Sequence, residues 1–245
     1  MSEKKYSANS LARGLEIITL FNEETPTLSL AEIAKKLGVS RNVPYRLLYV
    51  LQSIGYVEQD ESTKRYNLTP KVLELGFSYM NSMEFPKIAQ PYLEGLRDEL
   101  GATCHLSILD GQDVVYVGTA VVRGVSTINV DIGMRLPARS TANGRLLMAF
   151  TDPYSEYTKG LEKEIETIRE QGYAITEGDF HPSISSVAVP IFYRTGQIMA
   201  AINVVVTDTD FPVGFINDVA LPKALEVVKT LSNYTGYQEQ ISINK

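Results

Sequence analysis

The sequence predicts an α+β chain in two parts: helices closed off by a β-hairpin first, then helices flanking an antiparallel sheet. Three observations predict it. Apolar residues recur at helical spacing through residues 11–54, a short polar-tipped hairpin pattern follows, and from residue 103 the period shortens to that of strands. Such an order of elements belongs to the α+β class.

The elements follow in order. Leu11, Leu15, Ile18 and Leu20 with Phe21 read as the apolar face of a first helix, broken at Thr25-Pro26-Thr27. Ser29-Leu30-Ala31-Glu32 is a capping box: the Ser29 hydroxyl accepts a first-turn amide proton while Glu32 reaches back to the Ser29 amide. Leu28 and Ile33 stand at the two positions of a hydrophobic staple. That second helix runs through Ala34 and Leu37 to Gly38, where a left-handed residue costs little. Ser40 begins a third helix carrying Tyr45, Leu47, Leu48 and Leu51, ended by Gly55. Tyr56–Gln59 and Arg65–Leu68 then alternate apolar and polar around the tip Asp60–Lys64. Two helices joined by a short glycine-containing turn and followed by a hairpin make the winged helix-turn-helix plan.

Thr69-Pro70 starts a further helix through Val72, Leu73, Leu75 and Phe77 to Met83, too apolar to stand free in solvent; packing on the first helix or on a second copy would cover it. Pro86 interrupts it, and Ile88, Leu93, Leu96 and Leu100 continue as another helix to Gly101. Cys104–Leu109 and Val114–Val117 form a hairpin about Asp110-Gly111, and Ser126–Val130 is expected as a strand. Residues 133–139 read as a loop, Ser140–Phe150 and Leu161–Gln171 as helices, Val187–Phe192 and Ile198–Val206 as strands, and Ala224–Tyr234 as a last helix.

Charge distinguishes the two parts. The chain of 245 residues carries a formal net charge of −6. Residues 1–70 hold 9 Lys/Arg against 8 Asp/Glu, so the remainder of the 23 and 29 leaves 14 against 21 and is the acidic part. Within 31–50, Lys35, Lys36, Arg41 and Arg46 face Glu32 alone. Phosphate binding needs local positive charge rather than a basic whole, so the first part is expected to contact double-stranded DNA over a small, helix-borne footprint.

Other functions find little support. No stretch approaches the ~20 apolar residues that span a bilayer, and Met1–Tyr6 has no apolar core of a secretory signal, so a cytoplasmic chain without a membrane partner is expected. The single cysteine, Cys104, excludes an internal disulfide. Catalysis of acid–base or metal type needs clustered His, Cys or carboxylates, and the chain has two histidines, His105 and His181. Cys104 and His105 are neighbours on one strand and so point to opposite faces, which reads as core rather than ligand. No phosphate loop, dinucleotide fingerprint or nucleophile elbow is present, and no cofactor is implied. What remains is Ser140–Arg145 at the start of a helix. Free amides beside small side chains suit an anion such as a carboxylate, with Arg139 and Arg145 flanking it; the same residues equally suit a solvent-facing capped helix.

Five motifs in order resemble the IclR family of bacterial regulators over nearly the whole chain: Leu11-Ala12-Arg13-Gly14-Leu15-Glu16-Ile17-Ile18; Leu28-Ser29-Leu30-Ala31-Glu32-Ile33-Ala34; Tyr45-Arg46-Leu47-Leu48 with Gly55-Tyr56-Val57; Arg135-Leu136-Pro137-Ala138 with Thr141-Ala142-Asn143-Gly144-Arg145-Leu146-Leu147-Met148-Ala149-Phe150; and Gly172-Tyr173-Ala174 with Val187-Ala188-Val189-Pro190-Ile191-Phe192. The resemblance implies an N-terminal winged helix-turn-helix over 1–69, a linker helix over 70–84 and a C-terminal GAF-like effector domain over 85–245. It implies a ligand-responsive transcription regulator on a palindromic operator, a homodimer through the DNA-binding halves and often a homotetramer through the effector halves. Carried over by motif, Ser40, Arg41, Asn42, Tyr45 and Arg46 map onto the DNA-facing helix, Lys64 and Arg65 onto the wing, and Ala142, Asn143, Gly144, Thr176, Ser186 and Asn203 onto the effector pocket. Gly144-Arg145 and Ser185-Ser186 are most similar to the subgroup that senses aromatic acids, so the effector expected is a small carboxylate or aromatic acid. Three departures stand out: Pro44 in the recognition helix, a short segment over 151–160, and Asn203 and Val205 where the family carries serines. The competing readings are a small-molecule enzyme with a vestigial helix-turn-helix and a DNA-binding protein without a ligand.

Overall fold

A computed structural model describes residues 9–122, 130–179 and 181–237. The chain divides into two units, Met1–Ser82 and Met83–Lys245.

In the first unit, α1 (Asn9–Thr19), α2 (Leu30–Lys36) and α3 (Asn42–Ser53) precede the hairpin β1 (Val57–Gln59) and β2 (Tyr66–Leu68), then α4 (Val72–Ser82). The capping box forms as read: Ser29 N donates to Glu32 Oε2 at 2.7 Å and Glu32 N to Ser29 Oγ at 3.3 Å. The staple residues Leu28 and Ile33 are both buried, and the bridge of Leu28 to Tyr66 adds a third strand contact to the wing. Ile17, Ile33, Leu48, Leu51 and Val57 build the core here. The expected face of the first helix is kept in its second half only: Phe21 is buried and Ile18 and Leu20 pack half-buried beside it, Ile17 joins them, and Leu11 and Leu15 are exposed. α4 buries none of its residues, and Leu73, Leu75, Phe77 and Tyr79 all face outward.

In the second unit, α5 (Phe85–Leu100) leads into β3 (Thr103–Asp110), β4 (Asp113–Ala120), β5 (Arg135–Pro137), α6 (Ala142–Thr151), α7 (Glu162–Gln171), β6 (Ala174–Glu177), β7 (Ile184–Phe192), β8 (Ile198–Thr207) and α8 (Leu221–Thr235). Pro86 sits in the first turn of α5, where its missing N–H costs nothing. β3 to β8 form one antiparallel sheet in the order β5-β4-β3-β8-β7-β6. Helices α5 and α8 pack against one face, α6 against the other. Two strands escaped the sequence pattern, β5 and β6, because both are edge segments of only three and four residues, too short to show an alternation of their own. The expected strand Ser126–Val130 lies, apart from its last residue, outside the described residues.

Candidate functional site

In the first unit, α3 presents two opposed faces. Pro44, Leu48 and Leu51 are buried at helical spacing, which turns Arg41, Asn42, Tyr45, Arg46 and Tyr49 to solvent. The helix begins at Asn42, so Pro44 falls in its first turn and breaks no intrahelical hydrogen bond. Ser40 is exposed and enters the turn through its carbonyl, which accepts from Val43 N at 3.0 Å, and the helix itself begins two residues later, at Asn42. Among the described residues Arg41 and Arg46 make no ion pair, which leaves both guanidinium groups to a partner. Tyr49 completes this face one turn beyond Tyr45; the sequence reading passed over it, although the i, i+4 spacing signals it.

The wing tip is built on Asp60, whose carboxylate accepts from the backbone and hydroxyl of both Ser62 and Thr63, and these bonds hold it well below the usual carboxylate range. Lys64 stands at the tip with φ 56°, exposed and outside any ion pair among the described residues. Arg65 is placed otherwise. Its Nε donates to Thr27 Oγ1 and its Nη2 to Thr27 O, both at 2.9 Å, and Nη2 pairs with Glu32 Oε2 at 3.0 Å. Arg65 therefore clasps the wing to the start of α2 rather than offering its whole guanidinium outward. Glu32 is drawn down to about 2, first by its bonds with Ser29 and then by Arg65.

In the second unit a cavity lies between the sheet and the start of α6. Register assembles its polar floor: His105 on β3 pairs with Asn203 on β8, Thr103 with Val205, Ser186 on β7 with Val205, and Thr176 on β6 with Ser186. A β-bulge in the β3–β4 pairing, beside Leu106 and Ser107, brings Tyr116 and Thr119 of β4, three residues apart, to the same face as His105. Val130, Leu136, Ile184 and Val205 supply the apolar walls, while Thr141 and Asn143 overlook the floor from α6.

Most of this polar lining is internally paired. Thr176 and Ser186 share a hydrogen bond of 3.0 Å, Asn143 Nδ2 donates to Ser107 Oγ at 2.8 Å, and Thr141 Oγ1 accepts from Gly144 N at 3.1 Å as the cap of α6. His105 Nδ1 lies 3.0 Å from Thr119 Oγ1, and the His105 and Tyr116 rings meet edge to face at 5.2 Å. Burial pushes the His105 imidazole down to about 4 and raises the Tyr116 phenol. Among the described residues neither Lys nor Arg lines the cavity.

Of the six residues carried over for the pocket, Asn143, Thr176, Ser186 and Asn203 line it. Ala142 and Gly144 do not. A Cβ on Gly144 would lie 2.2 Å from Ala138 O, so the glycine serves close packing of α6 on the turn 138–140 rather than the ligand. The expected anion clamp of Arg139 and Arg145 is also corrected. Arg145 pairs with Glu164 at 2.7 Å and Asp179 at 2.9 Å and donates to Arg139 O, and Arg139 donates to the carbonyls of Tyr157 and Lys159. Both cations brace the framework behind α6. The sequence reading missed Thr103, His105, Tyr116 and Thr141; alternating polar residues at Thr103, His105 and Ser107 in an otherwise apolar strand were the available signal. Cys104 points away from this face, and burial pushes its thiol up to about 12, which suppresses nucleophilicity. Among the described residues no three His, Cys, Asp or Glu gather as a metal site.

A helix-turn-helix with free cations on its exposed helix, carried with a separate unit holding a cavity of polar floor and apolar walls, defines a ligand-responsive DNA-binding transcription regulator. Comparison with known proteins makes this specific. Residues 10–61 match the IclR helix-turn-helix domain, and residues 77–159 and 156–213 match the C-terminal domain of the bacterial transcriptional regulator IclR. The Pca regulon regulatory protein of Pseudomonas putida is 34% identical over 214 residues, covering 80% of this chain and 73% of that one. The p-hydroxybenzoate hydroxylase transcriptional activator of Acinetobacter baylyi is 26% identical, covering 91% of this chain and 90% of that one. A crystal structure of a Rhodococcus sp. RHA1 protein, described as a transcriptional regulator, superposes with a TM-score of 0.79 at 29% identity over 94% of this chain and 98% of that one. The chain belongs to the IclR family of bacterial transcriptional regulators.

Proposed function

We propose that the cavity binds a small aromatic or aliphatic carboxylic acid and that its occupancy alters binding to a palindromic operator. The carrying observation is the neutral polar floor of β3, β8, β7 and β6 facing apolar walls and the Tyr116 ring, a surface suited to a flat ligand with polar ends. The names of two relatives, a Pca regulon regulator and a hydroxybenzoate hydroxylase activator, support the aromatic class. The acid end is assigned to the start of α6, where Thr141 and Asn143 line the cavity and the helix dipole favours negative charge. No cofactor enters this reading, and the chain is taken to act in the cytoplasm as a regulator, not an enzyme; no helix among the described residues is long and apolar enough to cross a membrane.

On the DNA side, Arg41, Asn42 and Tyr45 are assigned to base edges, and Ser40, Arg46 and Lys64 to phosphates, which position without specifying. A homodimer is assigned through α1 and α4, whose exposed Leu11, Leu15, Leu73, Leu75, Phe77 and Tyr79 need cover. Such a dimer would set two recognition helices on half-sites one or more helical turns apart, and a further association of effector units would give a tetramer.

The test is a thermal-shift screen of the full chain against benzoates, hydroxybenzoates and short aliphatic acids. A ligand present at ~100 times its Kd stabilises by roughly 2.7 kcal/mol, which a melting scan resolves. A hit in one chemical class supports the reading. No shift with any acid at millimolar concentration sinks it.

A further inference from the structure

The floor of the cavity holds two adjacent polar side chains that the protein leaves incompletely partnered. β3 and β8 place His105 directly opposite Asn203, so the two side chains stand together on one face of the sheet. Asn203 is 2% exposed, and its Oδ1 is buried with no hydrogen-bond partner among the described residues. His105 is 1% exposed; Thr119 Oγ1 occupies Nδ1, which leaves Nε2 for a ligand. Buried polar groups are almost always paired, and an exception inside a cavity marks the place where a ligand supplies the partner. The remaining hydroxyls and amides of the floor already have partners within the protein, so the demand is concentrated here.

We propose that His105 and Asn203 together read a hydroxyl group on the effector, the ligand O–H donating to Asn203 Oδ1 while its oxygen accepts from His105 Nε2–H. This rests on the reading of the cavity as the effector site. Thr119 then donates its hydroxyl proton to Nδ1, which fixes the Nε2–H tautomer. A hydroxyl donates and accepts at one atom, and that is what the pair requires. If the amide is turned over and the other tautomer holds, Nδ2 donates, Nε2 accepts, and the hydroxyl still completes both. An ionised carboxylate offers acceptors only, so it would set negative charge against Oδ1 with no Lys or Arg among the described lining residues to offset it. A hydrogen or a methyl group would leave the amide oxygen as it is. The imidazole, held neutral by burial, acts here as a hydrogen-bonding group and not as a cation. His105 and Asn203 thereby select among acids that share one carboxylate but differ in hydroxylation.

The experiment measures affinity calorimetrically on the full chain for probes differing by one hydroxyl: 4-hydroxybenzoate against benzoate, and lactate against propionate. In the parent the hydroxylated member of the binding pair is expected to be roughly ten- to hundredfold tighter. In Asn203→Ala the gap closes to within about threefold, an outcome a merely structural asparagine, whose loss would weaken both members of a pair alike, would not give. His105→Leu closes the gap as well, and His105→Gln, which retains an amide donor, restores part of it. Equal affinities within each pair in the parent overturn the hydroxyl assignment alone, whatever the variants do. Silence of all four probes at millimolar concentration overturns the effector reading, and the assignment with it.

Discussion

Substituting Gly144 by alanine separates a packing role from a ligand-binding one. The added Cβ would lie 2.2 Å from Ala138 O, 2.4 Å from its Cα and 2.6 Å from its carbonyl carbon, and all three atoms are backbone. No rotamer relieves that overlap. The turn cannot withdraw cheaply either, because Ala138 N donates to Gln112 O at 2.9 Å and Arg145 Nε donates to Arg139 O at 2.7 Å. Overpacking a core costs typically 1–3 kcal/mol when side chains can yield; against fixed backbone the upper end, about 3 kcal/mol, is expected. For a unit the size of Met83–Lys245 that corresponds to a fall in melting temperature of roughly 6–12 °C. Gly95, in the middle of α5 with nothing within 4 Å of its would-be Cβ, is the matched control: Gly95→Ala should stabilise by about 0.5–1 kcal/mol. Calorimetry of both variants, with acid binding measured on each, decides the matter. If Gly144→Ala melts within about 2 °C of the parent and loses acid binding selectively, the packing argument is refuted and the residue belongs to the ligand.

Three further outcomes are expected. His105 is held near 4 in the folded chain against 6.5 ordinarily, so between those values the unfolded chain binds a proton that the folded one refuses. Stability therefore rises with pH through that window, by up to about 3 kcal/mol, and melting curves of His105→Gln should lack that part of the slope; identical pH profiles would contradict the burial argument. Lys64→Ala should weaken DNA binding evenly across sequences and reduce the salt slope by about 0.9, whereas Arg65→Ala should first loosen the wing, seen as faster amide exchange over β1 and β2. Arg41→Ala should cost roughly 1–3 kcal/mol on an operator and relax one base position, and equal losses on operator and random DNA would remove it from base reading.

The first unit was legible because its determinants are local. Ser29 and Glu32 are three residues apart, Gly38 follows its helix directly, and Pro44 marks the first turn of α3 through its own covalent geometry. Leu11 and Leu15 misled for the complementary reason: helical periodicity identifies an apolar face but not what covers it, and of the apolar residues at 11–21 only Ile17, Ile18, Leu20 and Phe21 are covered inside this unit. Arg65 carried the charge expected of a wing residue, yet its partners Thr27 and Glu32 lie 38 and 33 positions away, beyond any spacing rule.

The cavity obeys the opposite logic. His105 and Asn203 face each other only because β8 pairs with β3, and Tyr116 joins them only because a bulge resets the side-chain alternation of β4. Motif matching could mark Asn143, Thr176, Ser186 and Asn203 as a set, but it could not separate them from Ala142 and Gly144, whose neighbours in sequence look equally suitable. Hydrogen bonding makes that separation. Thr176 and Ser186 satisfy each other, Asn143 is held by Ser107, and Gly144 is consumed by the approach of α6 to Ala138. Among the described residues the Asn203 oxygen stays buried without a partner, at a cost of about 1–3 kcal/mol to the ligand-free fold. A ligand that fills this bond recovers that free energy on binding, and differential stabilisation of this kind is what an effector needs to shift a regulator between states.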